Sequence, residues 1–105
     1  MDGEAHHLFS SRGEWIGFVA GSNVFTPTGR WVGFFPGEHG VVADQSGRYV
    51  GEVVGGDRLI ARKVPPRLAR GARPAFPGHP ALPARPERHA ASGLPAGWVD
   101  VALGR

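Results

Sequence analysis

The sequence predicts an all-β fold: a small pseudo-four-fold closed barrel of short antiparallel hairpins, with a Pro-rich extended crossover and a C-terminal strand completing the fourth unit. Three observations carry this. GEWIGFVAGSNVFTPT, GRWVGFFPGEHGVVADQS and GRYVGEVVGGDRLIARKV align under one another, each opening on Gly, a charged residue, Trp or Tyr, Ile or Val, then Gly. Repeats this short mean one supersecondary unit used several times. Gly (17) and Pro (10) are abundant in a chain of 105 residues, which suits tight turns and extended segments better than long helices. Finally, half-units stand at both ends. Leu8–Phe9 with SSRGEW opens the chain partway through a unit, and Gly97-Trp98-Val99-Asp100 reads as a degraded first strand with Asp100 where the repeats have Gly.

Taken in order, residues 1–7 have no pattern and are expected to be flexible. The barrel is assigned to 8–63, the Pro/Arg-rich extended segment to 64–97, and the closing strand and tail to 98–105. Within each unit the residues alternate with period two: Trp15, Gly17 and Val19 share one face, as do Trp31, Gly33 and Phe35, and Tyr49, Gly51 and Val53. Alternation with β-branched and aromatic residues indicates strands, near 8–14, 14–19, 23–26, 30–35, 41–44, 48–53 and 57–62. Turn residues lie between them, and apolar pairs follow the turns at Val24–Phe25, Val41–Val42 and Leu59–Ile60. Gly17, Gly33 and Gly51 lie mid-strand, where glycine loses conformational entropy and packs nothing. A bend at a barrel corner and a slot covered by the neighbouring ring both explain them. Trp15, Trp31 and Tyr49 are read as core side chains, with a ring around a ligand-admitting central channel as the alternative. Joining Leu8–Phe9 to Trp98–Asp100 would close the barrel and remove its edges.

After Lys63 the composition changes. Pro74, Pro77, Pro80, Pro83 and Pro86 recur every third residue, the period of a polyproline II helix, which places all five on one ridge. Arg73, Phe76, His79, Leu82 and Arg85 would line a second ridge. A semi-rigid spacer is the plain reading, and a ligand for an SH3-like or WW-like partner is the functional one. Residues 1–63 carry six basic and seven acidic side chains, whereas 64–97 carry Arg67, Arg70, Arg73, Arg85 and Arg88 against Glu87. A near-neutral body with a basic arm follows, and the five arginines are the candidate partner-contacting residues.

GRWVGFF, SGRYVGEV, the DRLI strand and the terminal GWVD resemble the four-fold β-flower proteins, a group of small bacterial proteins of uncharacterised function. The resemblance covers 8–62 well and 98–101 thinly. It implies a shallow, pseudo-symmetric barrel of hairpins around an apolar centre, and it brings no catalytic residues. Val99 and the ending ALGR depart from the family, where Ser often stands between Trp and Asp before an acidic, aromatic tail. The barrel is also similar to Tubby-type and scramblase-type domains, which associate with membranes, a likeness of fold alone.

The chemistry of known sites is missing. None of G-x-x-x-x-G-K-[ST], G-x-S-x-G, H-E-x-x-H or G-x-G-x-x-G occurs, and there is no Cys to form a disulfide, a thiolate site or a nucleophile. His6, His7, His39, His79 and His89 lack ligand spacing. Adjacent His6 and His7 point to opposite sides of an extended chain. His39 beside Glu38, like Asp44 and Asp57, is read as a turn residue. No enzyme activity, cofactor or metal is expected. A protein-interaction module is the first functional reading, membrane-surface or apolar-ligand association through the central channel the second, and nucleic-acid binding through the basic arm the third. MDGEAHH has neither a basic n-region nor an apolar h-region, and no run approaches the ~20 apolar residues of a membrane span, so a cytoplasmic setting is expected.

Overall fold

A computed structural model describes residues 6–37, 40–68, 75–101 and 103. Eight strands follow one another: β1 (His6–Phe9), β2 (Trp15–Ala20), β3 (Asn23–Phe25), β4 (Trp31–Phe34), β5 (Val41–Ala43), β6 (Tyr49–Val54), β7 (Arg58–Arg62) and β8 (Trp98–Asp100). They form one antiparallel meander in chain order. A further parallel bridge between β1 and β7, at Phe9 and Arg58, closes the first seven strands into a barrel. The bond from Phe9 N–H to the Asp57 carbonyl (2.8 Å) lies at this seam. β8 adds antiparallel to β7, Ile60 facing Asp100 and Arg62 facing Trp98.

The repeat is a repeat of turns. Ser10–Glu14, Thr26–Arg30 and Asp44–Arg48 are closed by the same two backbone bonds, from the first N–H to the last carbonyl and from the Gly N–H to the first carbonyl. The first side chain of each accepts further backbone bonds, from Arg12 and Glu14 to Ser10 Oγ, from Arg30 to Thr26 Oγ1, and from Ser46 and Arg48 to Asp44 Oδ1. Short oxygen-bearing side chains are the ones that reach their own backbone this way. The fourth residue is Gly13, Gly29 or Gly47, with φ of 86°, 91° and 91°, in the left-handed region where a Cβ is strained.

Opposite each turn-flanking hairpin lies a β-bulge, between Leu8 and Phe9, Val24 and Phe25, and Val42 and Ala43. The partners just before the bulge are Gly17, Gly33 and Gly51. A Cβ at these glycines would stand 2.5 Å from the Phe25 carbonyl oxygen, 2.7 Å from that of Ala43 and 2.9 Å from that of Ile60. The close approach of the next hairpin's backbone is therefore the main reason for glycine, and the bulge supplies the bend.

The centre is filled by Leu8, Val24, Val42 and Leu59, each 0% exposed. They come from the same place in successive units, which makes Val42–Ala43 the third apolar pair rather than Val41–Val42. Phe9, Phe18, Phe25 and Ile60 are buried with them. Val101 and Leu103, beyond β8, pack against this cluster.

Four expectations are corrected. The chain is already strand at His6, so residues 6 and 7 are not a loose terminus. The expected strand 8–14 ends at Phe9, because Ser10 takes the chain into the first turn. Trp15, Trp31 and Tyr49 are half-buried around the rim, and the smaller aliphatics of the neighbouring strands occupy the centre. Closure runs through β1 and β7, with β8 alongside. The two ends meet instead through a side chain: Ser11 donates both its backbone N–H and its hydroxyl to the Asp100 carboxylate, each at 2.7 Å.

Candidate interaction surface

The Pro-rich arm lies along the barrel, and its burial has period three. Pro80, Pro83, Pro86 and His89 are half-buried, while Ala81, Leu82, Ala84, Arg85, Glu87 and Arg88 between them are exposed. That is the period of a three-residue-per-turn extended helix over 80–89; of the other two prolines expected on the same ridge, Pro77 is exposed and Pro74 lies outside the described residues. Phe76, His79, Leu82, Arg85 and Arg88, the second row of the arm, are exposed, Phe76 59% and Leu82 61%.

Two neighbouring turns seat the arm. At the second, the ideal Cβ of Gly29 would lie 2.7 Å from Leu82 Cδ2 and 3.9 Å from Pro80 Cγ, and the Phe76 ring tilts against Trp31 at 5.7 Å. At the first, His89 N–H donates to the Gly13 carbonyl (3.1 Å) and Ser92 N–H to that of Ser11 (2.7 Å). Arg88 Nη2 donates to the Arg12 carbonyl at 3.2 Å. The His89 ring stacks on Phe9 with centroids 3.6 Å apart, and its Nδ1 stands 2.9 Å from Asp57 Oδ2. Arg58 bridges the two parts, donating to the carbonyls of Ser10 (3.0 Å) and Ala90 (2.6 Å). The arm is thus held by backbone bonds at one end and ring contacts at both.

The repeat aromatics make different local contacts. Trp31 folds over its strand so that Nε1–H donates to the Gly33 carbonyl (2.9 Å), the ring-over-glycine arrangement the alternation suggested. Tyr49 donates to Glu52 (2.8 Å) and accepts from Arg62 N–H, and Arg62 in turn donates to Glu52 (2.7 Å). Burial, together with the Glu52 carboxylate, raises the Tyr49 hydroxyl above its ordinary range despite the Arg62 N–H. The Arg62 guanidinium sits 5.4 Å from the Trp98 ring, a cation–π contact that fixes the last strand's aromatic. Trp15 lies edge-on to His7 at 5.4 Å, and its Nε1 and His7 Nδ1 are buried without a hydrogen-bond partner among the described residues. Burial, then the charges of His6 and His89, lowers the His7 pKa.

Of the arginines proposed for contact, Arg67 and Arg85 are exposed on the arm, Arg88 is exposed and tied to the Arg12 carbonyl, and Arg70 and Arg73 lie outside the described residues. So do His39 and Glu38. His6 reaches the Gly56 carbonyl through Nε2, and His79 stands edge-on to Phe76. Sequence reasoning missed the meeting of His89, Phe9 and Asp57 and the Asp100–Ser11 bonds, which join distant parts of the chain. Only the departure of Asp100 from the glycine pattern hinted at the second. The His89–Asp57 pair has no nucleophile hydrogen-bonded to Nε2 among the described residues, and none of their His, Asp and Glu side chains form a group of three placed to hold a metal ion. No helix among them is long and apolar enough to cross a membrane.

An open cleft of about 390 Å³ lies between the second and third turns. Arg30, Trp31, Val32, Val50 and Leu103 line it with Asp44, Gln45 and Ser46 of the third turn.

A family model described as 4-fold beta flower protein matches residues 1–101. No curated protein and no solved structure matches the chain. The match takes in all eight strands, the repeated turns and the arm, and on that basis the chain belongs to the 4-fold beta flower protein family.

Proposed function

We propose that the chain is a non-enzymatic interaction module that offers the outward ridge of its seated arm, Phe76, His79, Leu82, Arg85 and Arg88, to a protein partner. One observation carries the reading: Phe76, His79, Leu82, Arg85 and Arg88 all stay exposed on the seated arm, even where Phe76 meets Trp31, Leu82 meets Gly29 and Arg88 meets the Arg12 carbonyl. These side chains recur about every 9 Å along a polyproline II helix. An arm already ordered on the barrel loses little conformational entropy when a partner arrives, and Phe and Arg are side chains that anchor interfaces. An SH3-like partner reading the prolines themselves would first have to lift the arm off.

The test is site-specific photocrosslinking in native extract, with the photoreactive residue at Leu82 or, as control, at Gly55 on the β6–β7 turn. The reading expects an adduct specific to the ridge position that disappears on Phe76→Ala with Arg85→Ala. Equal adducts from both positions, or none from the ridge, would count against it.

A second reading is favoured by the exposed apolar side chains Val64, Phe76, Leu82 and Leu94 near the arm arginines, a composition suited to an anionic lipid surface. Co-sedimentation with vesicles containing anionic lipid, absent with neutral vesicles, would support it over the protein partner. The third reading, nucleic acid, requires affinity that falls steeply with salt.

A further inference from the structure

The barrel's core is complete without the arm. No described residue of 64–97 is buried, and the central Leu8, Val24, Val42 and Leu59 all come from the strands. Yet the arm's end, His89–Ser92, lies across the barrel's seam, where β1 meets β7 through the pair Phe9 and Arg58. It is tied to both sides. On the first-turn side, the N–H groups of His89 and Ser92 donate to the carbonyls of Gly13 and Ser11. On the β7 side, His89 Nδ1 meets Asp57 Oδ2 at 2.9 Å, and Arg58 Nη2 donates to the Ala90 carbonyl. Between them the His89 ring stacks on Phe9, which is 1% exposed.

These ties are polar bonds and one ring stack at the surface, with His89 half-buried and Ala90, Ala91 and Ser92 exposed. A segment held in that way opens at a lower free energy than the strands beneath it, because lifting it leaves the central packing intact. The chain beyond it can follow. Residues 93–97 are all exposed, and the chain is fixed again at Gly97, whose carbonyl accepts from Lys63 N–H at 2.8 Å.

We propose that His89–Ser92 is a detachable strap over the seam. It leaves as one unit while the barrel stays folded, uncovering the Phe9 ring, the Asp57 carboxylate and the carbonyls of Ser11 and Gly13. The seam keeps the Phe9–Asp57 backbone bond, the Arg58 bond to the Ser10 carbonyl and the Ser11 bonds to Asp100, so the barrel does not come apart. An apolar ring beside an acidic group and two carbonyl acceptors is a surface that the seated strap withholds from any other chain. The strap is therefore a conformational switch whose two states hide or present Phe9. It does not include the exposed row from Phe76 to Arg88, so this proposal and the partner reading can fail separately.

Native-state hydrogen exchange of the full chain, read by NMR, tests this. The amides of His89 and Ser92 report on the strap, and the most protected amides of β2 and β6 report on the barrel. In the wild-type chain the two strap amides should share one opening equilibrium, at least about 100-fold larger than that of the barrel amides. His89→Ala removes the stack and the Asp57 contact but not the Ser92 bond. The Ser92 amide should nevertheless exchange at least about tenfold faster, because the strap lifts as a unit. Gly13→Ala puts a Cβ against the His89 carbonyl at φ 86°, and Gly47→Ala makes the same left-handed change at φ 91° with no described atom within 4 Å. Gly13→Ala should bring both strap amides within about tenfold of the unprotected rate in a chain that still folds. Gly47→Ala should leave the strap's opening within about threefold of wild type.

Strap and barrel amides exchanging through one common opening in the wild-type chain would overturn the proposal, since the arm's end would then belong to the barrel's folding unit. A Ser92 amide unmoved by His89→Ala would overturn it too, because the two residues would be held independently. So would a Gly13→Ala chain that fails to fold where Gly47→Ala folds, or strap amides equally protected in the two glycine variants.

Discussion

Replacing Asp100 by Ala tests whether the barrel's two ends are joined by a side chain. The Asp100 carboxylate is part-buried and accepts two bonds of 2.7 Å from Ser11, one from the backbone and one from the hydroxyl. A hydrogen bond to a charged group contributes about 1.5–3 kcal/mol net, and a buried N–H left without a partner costs about 1–3 kcal/mol. The two bonds share one carboxylate, so they do not add fully, and a loss of about 2–4 kcal/mol is expected. At roughly 4–8 °C per kcal/mol for a domain of this size, Tm should fall by roughly 8–32 °C. Thermal melting followed by circular dichroism measures this. Asp100→Asn, which keeps one acceptor oxygen, should lose about half as much. Asp100→Gly, which restores the residue of the other repeats, should be no better than Ala. Ser11→Ala removes only the hydroxyl bond, and with Asp100→Ala it forms a double-mutant cycle whose coupling should exceed about 0.5 kcal/mol. An Asp100→Ala protein melting within about 2 °C of wild type would refute the reasoning, since the seam would then be held by the β1–β7 bridge alone.

Other perturbations test other parts of the fold. Gly17→Ala, whose Cβ would stand 2.5 Å from a backbone carbonyl that cannot rotate away, should cost about 1–3 kcal/mol in a urea titration, more than Gly51→Ala with its 2.9 Å approach. An equal cost at both positions would argue against backbone crowding as the cause. Burial pushes the Asp44 carboxyl up, but the Ser46 hydroxyl and the N–H groups of Arg48 and Ser46 outweigh it and hold the pKa below 3.8. A depressed folded pKa gives stability that is present above the unfolded value and lost as pH falls through the folded one. Asp44→Thr, which copies Thr26, should therefore match wild type near neutrality and lose less below pH 3.8; identical acid profiles would contradict this. His7 has its pKa lowered from 6.5, chiefly by burial, so stability should also decline as pH drops below 6.5 through the folded value. His7→Asn should flatten that decline, and an unchanged Tm profile between pH 7 and pH 5 would remove His7 as its source.

The local half of this protein could be read from the chain. Trp-Ile-Gly-Phe and its copies alternate with period two, so strands were legible, and the Ser, Thr or Asp that opens each turn lies within four residues of the N–H groups it satisfies. Prolines at every third residue likewise imply one ridge, which the burial follows at Pro80, Pro83 and Pro86 but not at the exposed Pro77. The rest depended on parts distant in sequence. Whether a half-exposed aromatic or a small aliphatic takes the centre depends on which strand faces which after a bulge, and a one-residue shift moved the third pair to Val42–Ala43.

The sequence by itself determined the all-β class and the repeated turn with its left-handed glycine, because each is decided by torsions and hydrogen bonds within a few residues. Tertiary structure alone decided that Asp100 meets Ser11, that His89 stacks on Phe9 beside Asp57, and which ridge of the arm is covered. Those contacts exist only once the barrel has closed and brought β1, β7 and the arm together, and no local preference of the chain encodes them.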